Sequence, residues 1–275
     1  MHCPVCLHQH PLPDGHFRSI YLLRCPDCDH CFTDVSRLTD RVTYDAEYFF
    51  TVHKNWFANP DLEQFDLMYR KIAQQGSRRV IDVGCGTGNF LRYLRQKDAN
   101  LELTGLDLIA NDSKDGIEYV QMDFLKESFA GRDFDVVISA HTIEHIDEAR
   151  DFVQRLQALC RPGGLIIILT PNEHSVLFRA ARLMNWLGLK FAFQRLYSEH
   201  HVNHYNMSSL PRLCRCLGLE VLETIGTNIP MRLVDTPPVG AAVQAVLRWG
   251  VWVTFLLGKL TGATYQQTVI CRKPG

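Results

Sequence analysis

The sequence lacks several features that would assign it to a protein class at once. Its 29 lysines and arginines are balanced by 30 aspartates and glutamates, so the basic excess typical of general nucleic-acid binding is absent. The first residues contain no charged segment followed by an apolar one, as a secretory signal has, and we therefore expect a cytoplasmic protein. With 46% hydrophobic and 21% charged residues, the composition excludes wholesale disorder and predicts a folded core.

A long hydrophobic run free of charge is also missing. The most apolar stretch is 239–260, where Arg248 lies at the centre and shares nearly one helical stripe with Gln244 and Lys259. An arginine at mid-bilayer costs about 2.5 kcal/mol or more. We therefore expect a largely buried helix, or a helix lying on a membrane surface, rather than a membrane span.

A second segment, 177–195, mixes basic residues with leucine, methionine, tryptophan and phenylalanine. This composition is typical of a helix on an anionic membrane surface or of a lid over an apolar substrate. We expect a lid that packs on its own domain, with peripheral membrane contact through 177–195 or 239–260 as the alternative. Such contact would fit a membrane-associated protein and a lipid-linked acceptor.

Five of the ten cysteines lie in the first 31 residues. Cys3-Pro-Val-Cys6 and Cys25-Pro-Asp-Cys28 are two Cys-x-x-Cys pairs at a distance typical of tetrahedral zinc coordination by four thiolates. We predict a small zinc ribbon over residues 1–35, with a structural zinc because four thiolates leave no open coordination position. The predicted metal ligands are Cys3, Cys6, Cys25 and Cys28, and His30 or Cys31 could replace one of them.

From residue 76 onward, short apolar runs alternate with helical patterns. This alternation predicts an α/β fold with a doubly wound, mostly parallel seven-stranded sheet and helices on both faces. The chain then divides into the ribbon at 1–35, a helical connector at 36–75, and a large domain at 76–275 with insertions at 172–205 and 226–263. The predicted strands are 79–83, 101–106, 116–121, 134–139, 164–170, 219–225 and 265–271.

The most informative motif is the glycine-rich turn after the first of these strands. Gly84, Gly86 and Gly88 allow a sharp turn and close approach of the backbone to a ligand. A dinucleotide fingerprint would need a glycine where Asn89 stands, and a nucleoside-triphosphate loop would need a following Gly-Lys-Ser/Thr. The carboxylate of Asp82 beside the loop would repel a pyrophosphate but suits a cationic ligand.

The segment Asp82-Val-Gly-Cys-Gly-Thr-Gly88 resembles the first motif of class I, Rossmann-like S-adenosylmethionine-dependent methyltransferases, and further motifs follow in order over about 76–225. The resemblance implies S-adenosylmethionine as cofactor, with Asp107 on the ribose hydroxyls and Asp123 and Phe124 at the adenine. Taken singly, Asp107 and Asp123 could also be solvated loop residues or helix caps. The cofactor-binding residues that we predict are Asp82, Gly84, Cys85, Gly86, Gly88, Asp107, Leu108, Asp123, Phe124 and Ser139.

Methyl transfer to oxygen or nitrogen needs an in-line approach and often a base that takes the acceptor's proton. His145 matches a position common in the family, and His201 and His204 precede the predicted helix that begins near Ser208. We name these three histidines as candidate catalytic residues, with a structural hydrogen bond or loop bracing as the alternative role. His141 and His145 have a spacing that could bind metal, but no carboxylate ligand is obvious and we expect no catalytic metal.

These observations predict an S-adenosylmethionine-dependent methyltransferase for a small-molecule, glycan or lipid-linked acceptor, with O-methylation favoured. A ribbon followed by the tyrosine-rich segment 44–50 also resembles methyltransferases of sugar and glycan biosynthesis. The alternative is a protein- or RNA-directed methyltransferase, or a non-catalytic cofactor-binding module, recruited through the ribbon. The scarcity of basic residues in the ribbon argues against RNA.

Overall fold

The computed structural model describes residues 1–17, 19–38, 59–111, 115–129, 131–236 and 239–275. The tyrosine-rich segment 44–50 and the first part of the expected connector therefore lie outside the described residues. The second part of the connector is a helix, α1 (Leu62–Gln74), which begins where the Asp61 carboxylate accepts a hydrogen bond from the Gln64 backbone N–H.

A seven-stranded sheet forms the centre of the molecule, in the order β10-β11-β8-β7-β4-β5-β6. Strands β4 to β8 pair in parallel, whereas β11 runs antiparallel to both β8 and β10. This confirms the predicted mostly parallel α/β sheet. Its strands are β4 (Arg79–Val83), β5 (Glu102–Asp107), β6 (Glu118–Gln121), β7 (Phe134–Ala140), β8 (Cys160–Pro171), β10 (Glu220–Thr227) and β11 (Gln266–Arg272).

Helices cover both faces of this sheet. On one face, α1 and α2 (Asn89–Lys97) bury an apolar stripe against β4, β5 and β7. On the other face, α3 (Ala149–Leu159) and α6 (Ser209–Cys216) do the same. Apolar residues at helical spacing, such as Phe152, Val153 and Leu156 in α3, explain why one side of each helix is buried.

The N-terminal residues form a second, antiparallel sheet. Strands β1 (Leu12–Phe17), β2 (Ile20–Arg24) and β3 (Cys31–Thr33) are consecutive, and a fourth strand, β9 (Asn203–His204), comes from the first insertion and pairs with β3. Ribbon residues such as Val5 and Phe32 belong to the same buried cluster as α3 and α6. The ribbon therefore shares its core with the large sheet.

The two segments with membrane-like composition form helices near the carboxyl end of β8. The first insertion contains two helices, α4 (Val176–Trp186) and α5 (Phe191–Leu196), packed on the domain through Phe178 and Phe193. The second contains α7 (Ala241–Thr261), which is long and apolar enough to cross a membrane by length and composition. Only 11% of its apolar stretch is buried, so the expectation of a largely buried helix is wrong.

Candidate active site

The glycine-rich turn lies at the carboxyl end of β4, in the middle of the sheet, where parallel α/β sheets bind their ligands. A side chain at Gly84 would clash with Thr142. Helix α2 begins directly after Gly88. The backbone N–H groups of Gly84 and Cys85 donate to Leu106 O at 2.8 and 3.1 Å, which fixes the turn against β5. The three predicted glycines all have left-handed backbones, with φ of 81° at Gly84, 52° at Gly86 and 78° at Gly88.

Two buried polar side chains at this turn have unused hydrogen-bonding capacity. Asp82 Oδ1 and Ser139 Oγ have no hydrogen-bond partner among the residues that the structure describes. Burial, followed by the negative charge of Asp107, raises the pKa of Asp82 to about 7. Orphaned buried polar atoms are costly, and they fit a site completed by a polar ligand. Two close carboxylates favour a ligand with positive charge.

Asp107 lies at the end of β5 and contacts the glycine turn directly. Its Oδ2 accepts a hydrogen bond of 2.7 Å from the Gly86 N–H, and its Oδ1 accepts one of 3.2 Å from the Ile109 N–H. Burial raises the pKa of Asp107, while these backbone donors lower it. A carboxylate has about four lone-pair sites, so further acceptor capacity remains for the hydroxyls of a ribose.

The predicted adenine-binding residues follow β6 at the same edge. Asp123 accepts a hydrogen bond from the Leu125 N–H at 3.1 Å and pairs with Lys126 at 2.8 Å, and the hydrogen bond from Lys126 lowers its pKa. Phe124 packs edge-on against Phe152 at 5.9 Å, while the side chain of Leu108 is exposed. Asp123 therefore makes the local capping contacts that we gave as its alternative role, and its contact with adenine stays a prediction.

A cluster of acid and histidine residues follows β7. Glu144 is buried, accepts a hydrogen bond of 2.9 Å from Thr170 Oγ1 and lies 3.3 Å from His141 Nδ1. Burial alone would raise the pKa of Glu144, but the hydrogen bond from His141 and the neighbouring imidazoles lower it to about 2. Glu144 is therefore ionised at neutral pH. His141, three residues before Glu144, has φ of 54°, a conformation uncommon for a residue with a side chain.

The tautomer of His145 follows from its hydrogen bond. His145 Nδ1 lies 2.8 Å from the backbone oxygen of His200. Because a carbonyl oxygen can only accept, Nδ1 carries the hydrogen, and Nε2 is the basic nitrogen of the neutral ring. The His145 ring lies 4.8 Å from that of His201, whose pKa burial lowers well below its usual value, so His201 is neutral.

The third predicted histidine has different surroundings. His204 is buried in β9, where its Nε2 lies 3.5 Å from Thr33 Oγ1 of the ribbon and its ring lies 4.8 Å from that of Tyr197. Burial lowers the pKa of His204 to about 3. The structure thus brings His145 and His201 together and places His204 in the ribbon sheet.

Glu144 is the residue that sequence reasoning missed. A carboxylate oxygen of Glu144 and one nitrogen each of His145 and His201 lie within 4.8 Å of one another, a donor set that a divalent metal can use. The expectation that no carboxylate is available near these histidines is therefore wrong. The sequence signal for this donor set is the adjacent pair Glu144-His145 in the loop after β7. The burial of Glu144, however, is visible only in the structure.

The four predicted zinc ligands converge as the spacing indicates. Their sulfurs lie within 4.8 Å of one another, with Cys3–Cys28 and Cys6–Cys25 at 3.5 Å each. Tetrahedral zinc with bonds of about 2.3 Å places sulfurs about 3.8 Å apart, so the donor set fits the metal closely. The contact between Cys3 and Cys28 lowers the pKa of Cys3 and raises the pKa of Cys28, because the two sulfurs share one proton. Zinc binding would release the protons from these thiols.

The two knuckles have the same backbone geometry. Leu7 N–H donates to Cys3 O at 3.0 Å, and Asp29 N–H donates to Cys25 O at 2.9 Å. Leu7 and Asp29, each one residue past a knuckle, both have left-handed φ, at 65° and 55°. His30 instead pairs with Asn203 Oδ1 at 2.9 Å. The symmetry favours Cys3, Cys6, Cys25 and Cys28 as the ligand set over one that includes His30.

The ribbon is fixed to the large domain by a part-buried ion network. The carboxylate of Glu173 accepts hydrogen bonds from Arg24 and Arg182 at 2.8 Å each and from Tyr197 at 2.7 Å. Asp14 in the ribbon accepts from Arg182 at 2.7 Å. The positive charge of Arg182, acting against burial, keeps the pKa of Glu173 below its ordinary value. Because its charges belong to both parts, the network holds the ribbon in one orientation.

Curated relatives of the chain are methyltransferases. It is 33% identical over 111 residues to a malonyl-[acyl-carrier protein] O-methyltransferase of Enterobacter lignolyticus, covering 38% of this chain and 43% of that protein. It is 27% identical over 168 residues to a ubiquinone biosynthesis O-methyltransferase of Cupriavidus pinatubonensis, covering 56% of this chain and 65% of that protein. The matches thus span roughly half to two thirds of these relatives' lengths.

Solved structures share the fold. A SAM-dependent methyltransferase from Archaeoglobus fulgidus aligns with a TM-score of 0.53 at 18% identity, over 82% of this chain and all of that one. A phosphoethanolamine N-methyltransferase 2 of Haemonchus contortus in complex with S-adenosyl-L-methionine aligns with a TM-score of 0.56 at 17% identity, over 84% of this chain and 58% of that one. A family model described as a methyltransferase domain matches residues 57–224, more than half of the chain. The chain therefore belongs to the methyltransferase domain family and has the fold of S-adenosylmethionine-dependent methyltransferases.

Proposed function

We propose that this protein transfers the methyl group of S-adenosylmethionine to a hydroxyl oxygen of a small-molecule, glycan or lipid-linked acceptor. The observation that carries the proposal is the arrangement at one sheet edge. A glycine turn bordered by Asp82 and Asp107 lies beside a loop that holds two packed histidine rings next to an ionised glutamate. The O-methyltransferase names of the curated relatives support oxygen as the acceptor atom.

The residues of the turn supply what this cofactor needs. Asp107 has acceptor capacity for the two ribose hydroxyls, and Asp123 lies one strand further along for the adenine amine. The unpartnered oxygen of Asp82 favours the positive charge of the methionine part. When bound, S-adenosylmethionine supplies an electrophilic methyl group on a positively charged sulfur. A structural zinc held by Cys3, Cys6, Cys25 and Cys28 is part of the same proposal.

The histidine pair provides the proton acceptor. As the acceptor's hydroxyl oxygen forms its new bond to carbon, it must lose its proton, and His145 Nε2 is the basic atom that can take it. Ionised Glu144, within reach of the ring, stabilises the resulting imidazolium. His201 packs beside His145 and, being neutral, adds no opposing charge. His204, in the ribbon sheet, positions the segment that carries His201.

Calorimetric titration with S-adenosylmethionine tests the donor site. We expect binding to the zinc-loaded protein, and a loss of affinity of about 100-fold or more in Asp107→Ala, since about two hydrogen bonds to a charged group disappear. Asp133→Ala, which removes an exposed carboxylate at the start of β7, is the matched control and should bind as the wild type does. Absence of binding, or equal affinity in Asp107→Ala, would contradict the donor site.

Transfer of a labelled methyl group tests the reaction. The protein, labelled S-adenosylmethionine and an extract of cells lacking this protein should yield label in a small organic-soluble or glycan product. His145→Gln should lower the rate by about 100-fold or more while donor affinity stays the same, because only the base is lost. Label recovered in protein or RNA instead would refute the small-molecule acceptor.

A further inference from the structure

The exposed apolar side chains of the protein are concentrated in two neighbouring segments. Thirteen of the nineteen large hydrophobic residues that are exposed among the described ones belong to 183–191 and 239–260. Helices α4 and α7 pack against each other, so the two segments are neighbours, and we call their exposed apolar side chains the apolar face. A contiguous exposed patch of this kind is rare on soluble monomers and marks an interaction surface.

The long helix α7 has a charged residue on the side that faces the domain and apolar residues on the side that faces solvent, the reverse of a helix on the surface of a soluble protein. Its inward side carries Phe255, Gly258 and the guanidinium of Arg248, which donates to Met231 O at 2.8 Å and to Val234 O at 3.1 Å. The opposite side repeats at helical spacing with apolar residues only: Val246, Trp249, Val253, Leu256 and Leu260. Three of them are 66% (Val246), 65% (Trp249) and 73% (Leu260) exposed. Exposure of this side of α7 to water is therefore unfavourable.

The turn between α4 and α5 extends the apolar face. Six consecutive residues, 186–191, are exposed, and four of them are tryptophan, leucine or phenylalanine. Trp186 is 80% exposed. An exposed turn with this content has the composition of an interfacial anchor, because tryptophan prefers the boundary between headgroups and acyl chains.

The charged residues within the two segments that form the apolar face are all of one sign. Segments 176–197 and 239–263 contain six lysines and arginines and no aspartate or glutamate, although the whole chain has a net charge of −1. Four of these cations are exposed, namely Arg179, Lys190, Arg195 and Lys259. Exposed cations in the same two segments as the apolar side chains match a bilayer whose headgroups are anionic, since each cation near such a surface contributes about 1 kcal/mol of attraction.

We propose that the apolar face inserts into one leaflet of an anionic membrane, with α7 lying in the interface and the 186–191 turn inserted beside it. A crossing orientation does not fit, because Arg248, Phe255 and Gly258 hold α7 along the domain. The inference needs no assumption about methyl transfer. It places the carboxyl edge of β8, from which α4 departs and at which α7 returns to β11, next to the lipid.

Vesicle binding by the full-length, zinc-loaded protein tests this proposal in the absence of S-adenosylmethionine. We expect sedimentation with vesicles of phosphatidylcholine and phosphatidylglycerol, and much weaker binding to phosphatidylcholine alone or at high salt. Three of the four tryptophans, at 186, 249 and 252, belong to the apolar face, so brominated lipid should quench the fluorescence on binding. Each exposed leucine or tryptophan that enters the bilayer contributes about tenfold in partitioning.

Two double variants, Trp249→Gln/Leu260→Gln and Trp186→Gln/Leu189→Gln, should each lower the partition coefficient by at least tenfold. The matched control is Leu12→Gln/Leu222→Gln, which changes two exposed leucines on other surfaces and should bind like the wild type. Unchanged binding in both face variants, or no binding to either vesicle, overturns the proposal. So does a stable dimer in light scattering that the face variants dissociate, because a second copy would then cover the face.

Discussion

The pH dependence of donor binding follows from the buried carboxylate at the glycine turn. Burial, together with the nearby charge of Asp107, raises the pKa of Asp82 to about 7, so this group is mostly protonated at pH 5.5. Only ionised Asp82 attracts a cationic ligand, and binding therefore releases a proton at low pH. We expect the affinity for S-adenosylmethionine to rise with pH up to about 7 and to level off above it.

The magnitude follows from the ionised fraction of Asp82. With a pKa of about 7, this fraction rises from about 3% at pH 5.5 to about 76% at pH 7.5, which corresponds to about a 25-fold gain in affinity. The folded protein without ligand should show the opposite trend. Because the folded pKa lies above the unfolded value of 3.8, ionisation of Asp82 costs stability, which falls from about pH 4 to pH 7 and is then constant.

Calorimetric titrations from pH 5.5 to 7.5 on the wild type and on Asp82→Asn would measure this dependence. The variant carries no titrating group at this position, so its affinity should be nearly independent of pH. A wild-type affinity that does not change with pH would refute the reasoning. A slope that persists in Asp82→Asn would assign the proton to another group that faces this carboxyl, namely Asp107 or Cys85.

Two further predictions concern the ribbon. Chelation of zinc should unfold residues 1–35 and lower the melting temperature, and added zinc should restore it; a metal-free protein with an intact ribbon would contradict the zinc site. Glu173→Gln should lower the free energy of unfolding by about 3 kcal/mol, because it leaves Arg24 and Arg182 without their shared buried partner. Glu220→Gln, which breaks an exposed pair with Arg272, should cost less than about 1 kcal/mol, and equal losses in denaturant titrations would refute the network's role.

The sequence predicted those parts of the molecule that local patterns encode. Apolar runs bounded by turns located all seven strands of the large sheet. The signal is strongest in β7 and β8, because a strand that is buried on both faces is apolar along most of its length. Glycine positions located the turn, since the left-handed backbone at Gly84 and the proximity of Thr142 exclude a side chain there. The two Cys-x-x-Cys pairs located the knuckles, because two short loops can enclose one metal at that spacing.

Contacts between distant segments could not be predicted in this way. Nothing near Glu173 in the chain indicates that Arg24, about 150 residues earlier, shares its carboxylate. The burial of Glu144 depends on how β8 and the first insertion pack on the loop after β7. The orientation of α7 was ambiguous for a related reason, because a helix that is apolar on most sides can face a core or a lipid. The side of α7 that faces the domain is identified only by the carbonyl partners of Arg248.

We expect the contacts of β3 to link the predicted zinc ribbon to the candidate catalytic histidines. The Thr33 N–H in β3 donates to Val202 O at 2.8 Å, and the Val202 N–H donates to Glu144 O at 2.9 Å. This chain of hydrogen bonds runs from the ribbon sheet to the buried glutamate and passes beside His201, which packs on His145. Loss of zinc should therefore disorder the histidine pair as well as the ribbon. The donor site, built on β4 and β5 without ribbon residues, should bind its ligand in either state.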